Sequence, residues 1–152
     1  MSRPDRQSPR LPVFDYSQAG LYFVTVCAFG RRFLFGAVMQ DEMRLSPLGE
    51  VVRREWTAIA TRWGGVELDA FAVMPNHLHG IVALTGAGRA PPLQTIIGSF
   101  KAGVSRRAGC SVWQRSFYDR VIRDDEELRA LREYVEENPL RWALDLENPA
   151  SR

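Results

Sequence analysis

The sequence predicts an α+β fold: a single antiparallel, ferredoxin-like sheet with helices packed on one face. Three observations carry this expectation. Runs rich in β-branched and aromatic residues alternate with amphipathic stretches of helical period along the chain, the element order of a mixed domain rather than of a bundle or a sandwich. Two of the strand-like runs, Val66–Met74 and His77–Thr85, are separated only by Pro75-Asn76, which is turn chemistry and forces an antiparallel pair. At 152 residues the chain has the size of one domain and can bury a core without a disulfide staple.

Each element follows from local patterning. Leu21–Phe29 (LYFVTVCAF) follows Gly20 and is dense in residues that suit a pleated surface, which makes it the first core strand. Phe33–Val38 and Glu42–Leu45 flank the polar pair Gln40-Asp41 and read as a small hairpin. Ser46-Pro47 supplies an N-cap and a first-turn proline to a helix with apolar positions Leu48, Val51, Val52, Ile59 and Trp63, ended by Gly64-Gly65. After the hairpin comes a Gly/Ala/Pro loop, Gly86–Pro92, and then Leu93, Ile96, Ile97, Phe100 and Val104 mark a helix over Leu93–Ala108 that Gly109 stops. Val112–Ile122 reads as extended. Asp124–Asn138 is the last helix, with acids in its first turn, where the macrodipole favours them, and Pro139 behind it. There is no internal repeat; residues 1–12 and 143–152 are expected to be flexible ends of one domain spanning 1–152.

Cys27 and Cys110 lack the spacing of a zinc site or disulfide framework and read as reduced thiols. Met1–Pro12 is rich in Arg and Pro without an apolar core, so a cytoplasmic protein without a membrane segment is expected. The net charge of +2 hides a strong segregation. Between Gly86 and Arg123 seven basic residues face the single acid Asp119, whereas from Asp124 to Arg152 nine acids face four arginines. A basic stretch of this kind attracts polyanions by releasing their condensed counterions, which makes nucleic acid the natural partner; a solvated face is the plain alternative.

His77 and His79 are the only histidines in the chain. Positions i and i+2 of a strand share a face, so both imidazoles project together about 7 Å apart along the strand. Two neutral imidazoles can share one cation, with a third ligand and water completing the shell. The plain alternative is a pair of satisfied strand histidines. Tyr134 and Asn138 lie one helical turn apart, next to the apolar stripe of Leu128, Leu131 and Val135, so both would approach the sheet that this stripe faces. The amide is then a candidate third metal ligand and the phenol a candidate nucleophile. The alternative for this pair is a core tyrosine and a helix-ending asparagine.

The segment Phe71–Val82 (FAVMPNHLHGIV) resembles the histidine-hydrophobe-histidine (HUH) motif of the single-tyrosine transposases, and specifically of the REP-associated tyrosine transposases. Tyr22–Val26 (YFVTV), Val112–Arg123 (VWQRSFYDRVIR) and Tyr134–Pro139 (YVEENP) agree in the same order, so the likeness spans about residues 10 to 142. The resemblance implies an HUH endonuclease-type domain in which His77, His79 and Asn138 hold a divalent metal, Mg²⁺ or Mn²⁺, and Tyr134 is the catalytic nucleophile. It further implies cleavage and strand transfer of single-stranded DNA through a 5′-phosphotyrosine, on hairpins formed by repetitive extragenic palindromes. The amide is glutamine in many relatives and asparagine here, a shorter reach. Tyr118, between Arg115 and Arg120, is the rival tyrosine, without an amide one turn on. The expected DNA track comprises Arg106, Arg107, Arg115 and Arg120, with Trp113, Phe117 and Tyr118 for stacking on unpaired bases. Two other functions fit the same residues: a non-catalytic hairpin-binding module, and a metal-dependent phosphodiesterase that uses water. Monomer and homodimer both remain open.

Overall fold

The computed structural model describes residues 20–85 and 90–142, so both chain ends and most of the Gly86–Pro92 loop lie outside the described residues. In chain order the first elements are β1 (Gly20–Cys27), β2 (Gly36–Met39), β3 (Glu42–Leu45), α1 (Pro47–Thr57) and α2 (Ile59–Arg62). They are followed by β4 (Val66–Met74), β5 (His77–Leu84), α3 (Leu93–Ala108), β6 (Tyr118–Ile122) and α4 (Asp125–Arg141). The main sheet has the order β4-β5-β1-β6, and β2 with β3 forms a separate hairpin. Every pairing in the main sheet is antiparallel. Strand β5 thus lies between β1 and β4, and β1 between β5 and β6, the interleaved connection of a ferredoxin-like α+β domain.

Alternation along the strands gives the sheet two unlike faces. Tyr22, Val24 and Val26 of β1 and Leu78, Val82 and Leu84 of β5 point to one face, where they join Val52 and Trp56 of α1 and Ile96, Ile97, Phe100 and Val104 of α3 in one buried cluster. The Trp56 and Phe100 rings meet edge to face at 5.2 Å. Gly80 is required beneath them, because a Cβ there would fall 2.7 Å from Phe71 Cβ and 3.0 Å from Trp56 Cζ2. The opposite face carries His77, His79 and Ile81, and α4 lies across it, packed chiefly over β4. The expectation of helices on one face therefore holds for α1 and α3, while α4 takes the other.

Several boundaries differ from the expected ones. The first helix breaks at Ala58, whose N–H is shared between the carbonyls of Arg54 and Trp56, a bifurcated bond common at helix ends. In Val112–Ile122 only Tyr118–Ile122 is a strand. Upstream, Trp113 makes an isolated bridge to Ala28, and Lys101 Nζ donates to the carbonyls of Gln114, Arg115 and Ser116 at 2.8, 3.1 and 3.5 Å, which bends the chain out of the ladder. Helix α4 runs through Pro139 to Arg141 instead of stopping at Asn138. In the last turn a proline forfeits only the bond to the carbonyl four residues back, and the Trp142 N–H caps the end on Pro139 O. In the hairpin, Gln40 and Asp41 have φ of 54° and 65°, the left-handed pair of a two-residue turn. Gly109, at φ 77°, stops α3 as expected.

Candidate metal centre and tyrosine

The Pro75-Asn76 turn and the start of β5 bring three buried polar residues together: Asn76, His77 and His79 are 0%, 2% and 2% exposed. The two imidazoles stand 5.0 Å apart between ring centroids. Asn76 Nδ2 donates to Arg31 O at 3.5 Å, so its amide oxygen is the atom 2.8 Å from His77 Nδ1. An amide oxygen only accepts, which puts the ring proton on Nδ1 and leaves the lone pair on Nε2. Burial, and then the neighbouring His77, push the His79 imidazole down to about 3, so it is neutral at ordinary pH and a donor of electrons rather than an acid.

Helix α4 adds the other candidates. Asp124 caps it, accepting from Glu127 N at 2.7 Å, and Arg132 clamps it to β4 through a two-point ion pair with Asp69, 2.8 and 2.7 Å. This pair draws the Asp69 carboxyl below its usual range. Asp69 sits at the register shift between Leu68 and Phe71, a bulge that re-aims the side chain. The docked helix places the Tyr134 ring 5.3 Å from His79 and 6.3 Å from Phe23, and Tyr134 remains 37% exposed. Asn138 is fully buried, and neither its Oδ1 nor its Nδ2 has a hydrogen-bond partner; the same holds for His79 Nε2. Trp56, Trp63 and Trp113 Nε1 and Gln114 Oε1 are also buried without a hydrogen-bond partner; what sets His79 and Asn138 apart is that their unpaired atoms are of metal-ligating types and lie on one face of the sheet.

Among the described residues no Cys, Asp or Glu completes a three-residue set with the histidines. The donor types on this face that could hold a divalent ion are the two imidazoles and the Asn138 amide oxygen, a mixed nitrogen and oxygen set. Two residues of this region are not part of the site expected from the sequence: Asn76 is read there only as turn chemistry, and Trp142 is not singled out. For Asn76, its place before His77 was the available signal. Trp142 stacks on His77 with centroids 6.5 Å apart and meets Phe33 at 5.6 Å.

The expected DNA track divides. Tyr118 shares a row with Thr25 and His79 across β6, β1 and β5, so it lies on the histidine face, 52% exposed and two strands away. Arg120 follows on the same face, paired with Glu127 of α4. Arg115 is exposed in the loop beside them, where Gln114 N donates to Cys27 O at 2.9 Å. Arg106 and Arg107 end α3 on the opposite side of the sheet, and Arg107 Nε is committed to buried Glu55 at 2.6 Å. Trp113 is a core residue, its ring 5.2 Å from Phe35 and 5.4 Å from Phe100. Phe117 packs half-buried against the same core.

The fold is similar to that of a REP-associated tyrosine transposase. A solved structure of such a protein bound to a REP hairpin superposes with a TM-score of 0.69 over 95% of this chain and 76% of that one, at 21% identity. In sequence, the chain belongs to the same family as an uncharacterized protein of Haemophilus influenzae, 33% identical over 164 aligned residues that cover 92% of this chain and 91% of the other. No family model matches the chain. No helix among the described residues is long and apolar enough to cross a membrane.

Proposed function

We propose that this chain is a transposase-type enzyme that cleaves and rejoins single-stranded, hairpin-forming DNA with Tyr134 as nucleophile beside a divalent ion held by His77, His79 and Asn138. The observation that carries this reading is the set of unpartnered buried atoms, His79 Nε2 and the Asn138 amide, next to an exposed tyrosine. When bound, Mg²⁺ or Mn²⁺ would supply Lewis-acid polarisation of the scissile phosphate. The fold neighbour's REP hairpin supports DNA of that kind as the substrate.

The chain's own groups divide the remaining work. Asn76 holds His77 in the tautomer that presents Nε2, and burial keeps His79 neutral. Asn138 and Tyr134, one helical turn apart, arrive together because Arg132 and Asp69 seat α4. The Tyr134 oxygen attacks phosphorus and releases its proton to solvent. The P–O3′ bond breaks, O3′ leaves as a hydroxyl after taking a proton, and the 5′-phosphate stays on the tyrosine. Attack by another 3′-hydroxyl reverses the step and transfers the strand.

Incubation with single-stranded DNA containing a hairpin, followed by peptide mapping of the covalent adduct, tests the assignment. Tyr134→Phe keeps the ring contacts and should abolish both cleavage and adduct, while Tyr118→Phe should retain them. Attachment at Tyr118 would overturn the nucleophile. Cleavage without an attached peptide would favour a water-using phosphodiesterase, and binding without cleavage a hairpin-binding module.

A further inference from the structure

Lys101 is the only lysine in the chain; the other nineteen basic residues are arginine. It stands in the middle of α3, half-buried, and its ammonium ends where three consecutive carbonyls converge, Gln114 O at 2.8 Å, Arg115 O at 3.1 Å and Ser116 O at 3.5 Å. Carbonyl dipoles aimed at one point repel one another unless a cation answers them. A compact ammonium with three rotatable donors suits such a cage, whereas the planar fork of a guanidinium does not. Burial draws the Lys101 pKa below the ordinary lysine range, a penalty that the three carbonyls answer in part.

The three carbonyls belong to a bulge. Between Ala28 and Thr25, β1 advances three residues, while the facing chain advances five, from Trp113 to Tyr118. Two surplus residues must leave the ladder, and Arg115 and Ser116 stand in solvent there. The register of Tyr118 and Arg120 depends on where this bulge closes, and a bulge shifts along a strand unless something pins it. Among the described residues, the side-chain bonds that pin this one all come from Lys101. A helix of the apolar side thus holds a loop that stands beside Tyr118 and Arg120 on the histidine face. Resting on the DNA-cleaving function proposed above and on Arg115 as part of its DNA track, we infer that Lys101 is a positioning residue, whose ammonium closes the Gln114–Ser116 bulge and so aims Arg115 at the DNA backbone. Lys101 does not touch DNA itself, because its three N–H groups are committed within the protein.

With one lysine in the chain, protein grown on isotope-labelled lysine gives a single ammonium signal in nitrogen NMR. That signal should be resolved in free protein, its protons protected by the carbonyls, and should persist when a DNA hairpin with single-stranded flanks is added. A signal absent from free protein, or present only with DNA, would overturn the inference. The same hairpin is titrated by fluorescence anisotropy across a salt series against Lys101→Met, Lys101→Arg, Arg115→Ala and the double variant of Lys101→Met with Arg115→Ala. Arg115→Ala should weaken binding about fivefold near about 0.15 M salt and lower the salt slope by about 0.7–0.9, the loss of one phosphate contact. Lys101→Met should do the same, and the double variant should bind no more weakly than either single one, since all three lack the same contact. Lys101→Arg should resemble Lys101→Met although it keeps the charge. Independent losses that multiply to about 25-fold in the double variant, or wild-type affinity in Lys101→Arg, would make Lys101 a charge felt directly by DNA and overturn positioning. Mn²⁺ affinity should match wild type in every variant; a general loss of Mn²⁺ binding in Lys101→Met would reduce its role to holding the fold. If Lys101→Met does not fold, the ammonium signal and Lys101→Arg decide. Wild type that binds no hairpin would bring down the DNA-cleaving function and the role of Lys101 together. Wild type that binds while Lys101→Met keeps full affinity and slope would bring down only the role of Lys101.

Discussion

Replacing Asn138 with leucine exchanges an amide for an apolar branch of similar shape at a position with 0% exposure. In metal-free protein both amide atoms lack a partner, and each such atom costs about 1–3 kcal/mol. Leucine removes both costs but must fit space shaped for a planar group, and imperfect packing returns about 1–3 kcal/mol. The net expectation is a variant more stable than wild type by about 1–3 kcal/mol in chelator, a rise of several degrees in melting temperature for a chain of this size. Mn²⁺ reverses the order. On the proposed ligand set, a hundredfold excess of the ion over its Kd should stabilise wild type by about 2.7 kcal/mol, and should do far less for a variant that has lost one of the three proposed ligands. Circular-dichroism melts in EDTA and across a Mn²⁺ series read both effects. A variant less stable than wild type in EDTA would mean that the amide is satisfied within the fold, and equal stabilisation of both proteins by Mn²⁺ would remove Asn138 from the ion's shell.

Two further outcomes follow from the charges. His79 titrates near 3 in the fold against 6.5 for an ordinary histidine. Its contribution is therefore complete above about pH 7 and is lost as pH falls below 6.5. About 2 kcal/mol should be gone at pH 5, read by urea unfolding in EDTA; His79→Phe should flatten that pH slope, and an unchanged slope would assign the proton elsewhere. On DNA, Arg115→Ala and Arg120→Ala should each flatten log affinity against log salt by about 0.7–0.9. Arg107→Ala should leave the slope alone and destabilise the fold by about 1–3 kcal/mol, because it leaves buried Glu55 with only its longer contact to Arg62; the reverse pattern would place the DNA on the α3 side.

The sheet was legible because strand periodicity is local. Leu78, Val82 and Leu84 against His77, His79 and Ile81 separate an apolar face from a chemical one without any knowledge of the partners. The i, i+4 pair Tyr134 and Asn138 was legible for the same reason, as was the Gly109 stop. What escaped was set by contacts distant in sequence. Glu55 claims Arg107 from 52 residues away, which no charge count along the chain reveals. Lys101 pulls three carbonyls of Gln114–Ser116 inward, so an extended-looking run bends and Trp113 enters the core. Asn76 has the composition of a turn residue, and only its bond to His77, together with the Arg31 carbonyl on its other side, gives it a second role.

The placement of buried polar groups bears directly on the choice among functions. Six described residues of this type are buried: Glu55, Asn76, His77, His79, Asp119 and Asn138. Glu55 is neutralised by Arg107 and Arg62 on the apolar side, a structural use in which every charge is answered. Asn76, His77, His79 and Asn138 gather instead on the α4 side, where only the outer edge of the group is satisfied. Asn76 bonds His77 from behind, while His79 Nε2 and the Asn138 amide go unanswered. A histidine pair kept for packing alone would be expected to bond its ring nitrogens within the protein. A hairpin-binding module with structural histidines therefore leaves this half of the cluster without a cause. A water-using phosphodiesterase accounts for an ion but not for a phenol kept partly exposed against the ring of His79. The tyrosine nucleophile accounts for both with one helix, since the turn of α4 that would deliver the third ligand also delivers Tyr134.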